Sequence, residues 1–267
     1  MDKNIYILAI ETSCDETSVS ILKNTKVLSN IISSQKIHSL FGGVVPELAS
    51  REHEKLIIPV VEKALLDSKI PLQKISAIAY TRGPGLMGAL LVGTSFAKSL
   101  SLSLDIPLVE VNHMQAHILS IFIDDNEKKP EFPFLALTVS GGHTQLVLVK
   151  NYLEFVQIGT TLDDAAGEAF DKCGKLLGLD YPSGPKIDFL SKSGNENKFD
   201  FNKPKIDGLN FSFSGLKTSF KYFLQNKKDS FVKNNLNDLC ASLQKVIVDI
   251  LREKILNARD KTKIKNI

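Results

Sequence analysis

Cysteine is scarce: Cys14, Cys173 and Cys240 are odd in number and widely spaced. That argues against a disulfide framework and fits a reducing cytosol. Long apolar runs are missing too. Gly, Lys, Ser or Asp interrupts each one, so no segment is expected to span a bilayer. Met1-Asp-Lys-Asn4 leads straight into an apolar strand, without the leader of a secreted chain. The expectation is a cytoplasmic protein with no membrane partner. Net charge is only +3 over 267 residues, but it is uneven. Residues 1–185 hold 16 Lys and Arg against 21 Asp and Glu, a net of −5; residues 186–267 hold 17 against 9, a net of +8. A basic second half suits a phosphate backbone or a solvated lysine surface, and charge alone does not choose.

What is present is ordinary globular material, 43% hydrophobic and 24% charged, in a chain long enough for two lobes. Residues 4–11, 17–22 and 26–33 read as strands. Between the first two lies Glu11-Thr-Ser-Cys-Asp-Glu-Thr17, a tight turn of hydroxyls and acids that offers backbone N–H groups to an anion or a metal-bound phosphate. A plain polar hairpin tip is the alternative. From Leu48 to about Asp67, apolar residues at Leu56, Ile57, Val60, Val61, Ala64 and Leu65 predict one buried helix face. Residues 75–80 form a buried strand. The loop Thr81-Arg-Gly-Pro-Gly-Leu-Met-Gly88 then enters a helix ending near Leu104. Its glycines let backbone approach a ligand closely, although it lacks the Lys and spacing of a P-loop, and Gly88 and Gly93 suit helix packing equally.

The strand Ile106-Pro-Leu-Val-Glu-Val111 is followed by Asn112-His-Met-Gln-Ala-His117. Asn112 is a good N-cap for a helix reaching Phe122, which puts His113 and His117 one turn apart on one side. Two imidazoles at that spacing hold one metal ion, or are two histidines on a wet helix face. The charged, proline-punctuated segment 124–131 marks a change of lobe, giving domains 1–130 and 131–267.

The second lobe opens on strand 134–139, the turn Ser140-Gly-Gly-His-Thr-Gln145 and strand 146–150, repeating the design of the first. Leu162 to Lys172 begins a helix, with Asp163 or Asp164 as its cap and Asp171 a turn or two further on. Tyr181-Pro-Ser-Gly-Pro185 turns into another helix; residues 193–210 are loop. Phe211 to Gln225 and Asn235 to about Ala258 close the chain as helices. Leu239, Leu243, Val246, Ile250 and Ile255 give the last of these a core face.

Ile10-Glu-Thr-Ser-Cys-Asp-Glu-Thr17, Thr81-Arg-Gly-Pro-Gly-Leu86, His113-x-x-x-His117, Val139-Ser-Gly-Gly-His-Thr144, Asp163 to Lys172, Tyr181-Pro-x-Gly-Pro185 and Phe211-Ser-Phe-Ser-Gly-Leu-Lys217 occur in one order. With them, the whole chain resembles the tRNA adenosine threonylcarbamoyltransferase family, formerly described as O-sialoglycoprotein endopeptidases. The resemblance implies an α/β, two-lobed actin-like ATPase, sugar kinase and heat-shock ATPase fold around a cleft. It implies transfer of threonylcarbamoyl from threonylcarbamoyl-AMP to the exocyclic amine of the adenosine beside the anticodon in tRNAs reading codons that begin with A. His113 and His117 match the family's ligands for one iron or zinc ion. Thr138, Val139, Ser140, Gly141, Gly142, Asp171, Gly184 and Asp188 match its substrate-binding positions. Asp15 and Glu16 are the expected base or water-orienting groups. Partners implied are tRNA, a smaller paralogous subunit and an ATPase subunit.

One departure stands out. The chain stops at Ile267, where the family pattern continues into a strand and a Gly-Gly-Val-x-Ala-Asn turn, with a substrate-binding Asn and the Asp that completes the metal site. The second lobe is therefore expected to be incomplete, and an inactive or partner-binding truncated copy is the alternative. Three rivals are weaker. A metalloprotease needs a Glu where Met114 stands. A kinase has no use for the two histidines, and the family's smaller paralogue lacks them.

Overall fold

The computed structural model describes residues 4–123 and 128–267; within the linker, residues 124–127 lie outside them, as do residues 1–3 at the start. The chain divides into two compact units, Met1–Lys129 and Pro130–Ile267.

In the first unit, alternation does what the sequence predicts. Strands β1 (Tyr6–Glu11), β2 (Glu16–Lys23) and β3 (Lys26–Ser34) form an antiparallel meander. Leu8 and Ile10 of β1 and Thr17, Val19 and Ile21 of β2 point to the core. Helix α1 (Pro46–Ser68) starts two residues earlier than expected because Pro46 takes the first helical position, where it loses no hydrogen bond. Its face of Ala49, His53, Ile57, Val60, Val61 and Ala64 packs against β2 and β3. Each fully buried aliphatic side chain on such a face contributes about 1.5–3 kcal/mol. Strands β4 (Ala77–Gly83) and β5 (Leu108–Asn112) add parallel to β1, giving the order β3-β2-β1-β4-β5.

Helix α2 (Met87–Leu104) corrects one expectation. With Lys98 its only charged residue, it is long and apolar enough to cross a bilayer by length and composition. Its small residues Ala89, Gly93 and Ala97 are nonetheless packed inside the unit, where α2 covers β4 and α1.

The second unit opens on another meander, β6 (Phe134–Val139), β7 (Thr144–Asn151) and β8 (Glu154–Thr160). Strand β8 was not anticipated, since Glu154 to Thr160 alternates weakly and keeps only Gly159 fully buried. The free edge of β6 receives one rung, Leu135 N–H to the Asn266 carbonyl at 2.9 Å. Among the described residues this sheet has three strands against five in the first unit, in keeping with an incomplete second lobe. Helices α4 (Ala166–Leu176), α5 (Gly184–Ser191), α6 (Ser214–Gln225), α7 (Asp229–Asn234) and α8 (Leu236–Thr262) follow a short α3 (His113–Leu119) that belongs to the first unit. Phe211, Phe213, Leu216 and Phe220 join Leu239, Leu243, Val246 and Ile250 in one core, so α8 does bury the face read from its spacing.

The helix at 162–172 differs from expectation. It begins at Ala166, and neither Asp163 nor Asp164 caps it. Asp163 reaches across fifty residues to the start of α6, where it accepts from the Phe213 and Ser214 N–H groups (2.8 and 3.2 Å) and from the Ser212 and Ser214 hydroxyls. Asp164 pairs with Lys172 at 2.7 Å.

Candidate functional site

Parallel pairing brings the carboxyl ends of β1, β4 and β5 to one edge of the first sheet. There Glu11 ends β1, Thr81 lies near the end of β4, and β5 runs directly into α3. Asn112 caps α3 as its sequence predicts, its Oδ1 accepting from Met114 N–H at 3.0 Å and Gln115 N–H at 3.1 Å. His113 therefore begins the helix and faces back along the sheet edge. Its Nδ1–H donates to Glu11 Oε2 at 3.1 Å, with Ser13 Oγ 3.2 Å from the same nitrogen. Thr81 donates its hydroxyl to Glu11 Oε2 at 2.6 Å, and Ser13 N–H donates to Oε1.

These bonds fix a tautomer. A carboxylate only accepts, so Nδ1 of His113 carries a proton, and in the neutral ring Nε2 keeps its lone pair. That Nε2 lies 3.1 Å from Nε2 of His117, one turn along, with the rings edge to face. Two nitrogens on a tetrahedral ion at ~2.0–2.1 Å each stand about 3.3 Å apart. The donor pair thus fits a divalent ion such as iron or zinc, and Glu11 holds His113 through the ring's other nitrogen, as a carboxylate behind a metal-bound histidine does. Among the described residues no third His, Cys, Asp or Glu joins the pair. Burial would raise the Glu11 carboxyl, yet the bonds from His113, Ser13 and Thr81 outweigh it and hold it at about 2. Burial, then the neighbouring His113, lowers His117, which favours the neutral ring a ligand needs.

The turn after Glu11 is braced from below. His53, fully buried on α1, donates from Nε2 to the Cys14 carbonyl at 3.0 Å and accepts the Thr17 hydroxyl at Nδ1, 2.8 Å. Gln35 N–H donates to the Asp15 carbonyl at 3.0 Å. Asp15 is half-buried; Glu16 is exposed and accepts from the Ser34 hydroxyl on β3 at 2.8 Å. The Cys14 thiol, although its residue is exposed, is pushed up to about 12 by partial burial and by Asp15, which disfavours the thiolate. Gly85 of the β4–α2 loop and Gly88 and Gly93 of α2 serve packing. A Cβ on Gly85 would stand 2.5 Å from the Ser13 carbonyl oxygen, one on Gly88 2.2 Å from Ser50 Oγ, and one on Gly93 2.2 Å from Thr12 Oγ1.

In the second unit, the turn Ser140–Gly142 closes on itself through Ser140 N–H to the His143 carbonyl at 2.8 Å. Thr138 and Val139 lead into it at the end of β6. The turn rests on the first residues of α4: Gly167 N–H donates to the Ser140 carbonyl at 3.1 Å, and a Cβ on Gly167 would lie 2.6 Å from that oxygen. Gly141 and Gly142 have open space where a side chain would go. One turn along α4 from Gly167, Asp171 accepts from Ser183 N–H at 2.7 Å and fixes the entry to α5. Gly184 opens that helix, and Asp188 lies one turn further, exposed, paired with Lys192 at 3.1 Å and bonded by Gln244 at 3.3 Å. The Lys192 ammonium, with Gln244, lowers the Asp188 carboxyl. Helix α4 therefore gathers Ser140, Gly141, Asp171, Ser183 and Gly184 along one side.

Sequence reasoning counted Glu11 among the acids of the turn but missed that it anchors His113. A carboxylate ending an apolar strand beside a histidine-led helix was the available signal. It missed Ser13, Thr81 and His53, which act through contacts 36 to 100 residues apart.

The sequence pattern of a family described as tRNA N6-adenosine threonylcarbamoyltransferase matches residues 26–267. Proteins of that name are similar along the chain: one from Christiangramia forsetii is 56% identical over 270 residues, covering 100% of this chain and 79% of its own length. The one from Riemerella anatipestifer is 57% identical, covering 99% and 79%, and the one from Phocaeicola vulgatus 53%, covering 98% and 79%.

Proposed function

Because the chain belongs to the tRNA N6-adenosine threonylcarbamoyltransferase family, a family of tRNA-modifying transferases, we propose how its own residues divide the reaction. The donor is threonylcarbamoyl-AMP and the acceptor is the N6 amine of the adenosine beside the anticodon. The amine attacks the carbamoyl carbon, the N–C bond forms, the C–O bond to phosphate breaks, and AMP leaves. The amine proton passes to a carboxylate of the first turn. Asp15 is the better candidate, being half-buried with its backbone held by Gln35; exposed Glu16 is engaged by Ser34.

His113 and His117 hold one divalent ion, iron or zinc. Such an ion, when bound, polarises a carbonyl or phosphoryl oxygen. Glu11 keeps His113 in the tautomer that offers Nε2. Ser140, Gly141 and Gly142 receive the nucleotide or acyl group on bare backbone, with Thr138 and Val139 leading in. Asp171, Gly184 and Asp188 meet hydroxyls of the ribose or the threonyl moiety. The observation that carries this reading is the 3.1 Å approach of the two Nε2 atoms beside a carboxylate-bound Nδ1.

Partners are a smaller paralogous subunit and an ATPase subunit. Support comes from helices α1 and α2, which leave Ile58, Leu66, Met87, Leu91 and Leu102 more than half exposed. The same faces favour the second reading, a copy that binds partners without catalysing transfer. A cytoplasmic location is supported by the tRNA substrate and by three free cysteines.

The test is transfer of labelled threonylcarbamoyl from threonylcarbamoyl-AMP to tRNA, comparing the chain, alone and with partner subunits, with Asp15→Asn. A turnover number lowered at least ~100-fold, with KM little changed, supports the assignment. An unchanged turnover number removes Asp15 from it. Full assembly with no transfer by the chain itself favours the second reading.

A further inference from the structure

The excess positive charge of residues 186–267 is not spread evenly. Lys186, Lys192, Lys198, Lys203, Lys245 and Arg259 each pair with a carboxylate at 2.6–3.2 Å. On other helices Arg51, Lys55, Lys63 and Lys172 pair with acids three or four residues away, while Lys98, Lys175, Lys233, Arg252 and Lys261 stand singly, without a carboxylate within ion-pair distance among the described residues. Helix α6 differs from both. From Gly208 to Lys228 there is no Asp or Glu, while Lys217, Lys221, Lys227 and Lys228 supply four positive charges. Among the described residues none of the four has a carboxylate within ion-pair distance.

Lys217 and Lys221 stand one turn apart on the same side of α6, a like-charge spacing that weakens a helix unless an outside anion answers it. Leu216 and Phe220, about 100° around the helix from Lys217 and Lys221, are committed to the core. Tyr222, 66% exposed, follows Lys221 about 100° further around the helix. Beyond the helix end, Lys227 is held between two rings, its Nζ 5.3 Å from the Phe223 centroid and 5.0 Å from that of Phe231. Lysines flanking an exposed aromatic, with no acid among them, form a surface for a phosphate backbone with an unstacked base nearby.

We propose that this face of α6 and the turn after it, Lys217, Lys221, Tyr222, Lys227 and Lys228, is a docking surface for tRNA. The lysines meet consecutive phosphates, and Tyr222 offers its ring to a base of a single-stranded loop. The proposal rests on the reading of the chain as a tRNA-modifying transferase and adds to it the surface on which the substrate lies.

The experiment is tRNA binding by fluorescence anisotropy at several salt concentrations, without activity as a readout. Lys221→Glu/Lys228→Glu changes two exposed side chains. Lys36→Glu/Lys74→Glu, also exposed, imposes the same charge change on the first unit. The expected result is a Kd raised at least ~10-fold by the first pair and little by the second, with the log K against log salt slope shallower by roughly 1–2. Tyr222→Ala weakens binding several-fold and leaves the slope in place. Equal losses from both pairs, or none from the first, overturn the docking surface while the tRNA reading stands. No binding of tRNA by the unaltered chain at low salt overturns both. Preferential binding of anionic vesicles over tRNA, lost in the first pair, assigns the patch to a lipid surface and overturns the proposal.

Discussion

The imidazole Nε2 atoms of His113 and His117 face each other at 3.1 Å, while Nδ1 of His113 donates to Glu11. Two lone pairs at that distance repel unless a proton or a cation lies between them. A divalent ion bound by both, as proposed, answers them, with the Glu11 carboxylate behind His113.

Glu11→Gln removes the charge that fixes the His113 tautomer while keeping the size of the side chain. Metal affinity falls about 10- to 100-fold, as it does when outer-shell carboxylates are lost elsewhere. Calorimetric titration with zinc at pH 7 measures it; an unchanged Kd removes Glu11 from the site.

Gly142→Ala and Gly167→Ala separate ligand contact from packing. Gly142 has open space where the methyl would go, so folding stability stays within about 0.5 kcal/mol while donor binding weakens. Gly167→Ala drives a methyl to 2.6 Å from the Ser140 carbonyl oxygen and costs about 1–3 kcal/mol of stability. Urea unfolding with nucleotide binding distinguishes them. Loss of stability in the first variant would show that the turn is packed rather than open.

Asp163→Ala uncaps α6, fifty residues away in sequence, and lowers the stability of the second unit by about 1 kcal/mol. Burial opposes ionisation of Asp163, but its bonds from Ser212, Phe213 and Ser214 outweigh that and lower its pKa below the ordinary 3.8. A depressed folded-state pKa gives stability that is present above 3.8 and lost as the pH falls through the lower folded value. The gap between wild type and variant in urea is therefore full at pH 7 and narrows below pH ~4. A gap unchanged at acid pH would mean that the carboxylate charge is not what caps the helix.

His53→Leu leaves the Cys14 carbonyl and the Thr17 hydroxyl without their buried partner and costs about 1–3 kcal/mol for each group left unsatisfied. His53→Gln, which reaches the Cys14 carbonyl with an amide N–H, recovers part of it. Equal losses in the two variants, read from thermal unfolding, would show that ring volume matters rather than the bond.

Features that depend on near neighbours were legible in the sequence. The Asn112 cap, the one-turn spacing of His113 and His117, the alternation in β2 and the core face of α8 all follow from periods of two or 3.6 residues. Features made by distant contacts were not. Asp163 looked like the cap of the helix that follows it, because a local cap is the default for an acid before a helix. In the fold, α4 opens with Ala166 N–H on the Thr144 hydroxyl, which frees Asp163 for α6. Gly85 read as room for a ligand and is room for Ser13, whereas Gly88 and Gly93 take the packing role the sequence left open, against Ser50 and Thr12. Strand β8 escaped notice because one of its faces meets solvent and the other carries a glycine at its only fully buried position.

The most direct test is metal binding by the chain itself, beside a His113→Ala/His117→Ala variant. Each protein is stripped with chelator, reloaded with ferrous iron or zinc, and assayed for bound ion. The account predicts about one equivalent on the unaltered chain and none on the variant. Equal loading of both proteins, or none on either, would contradict it.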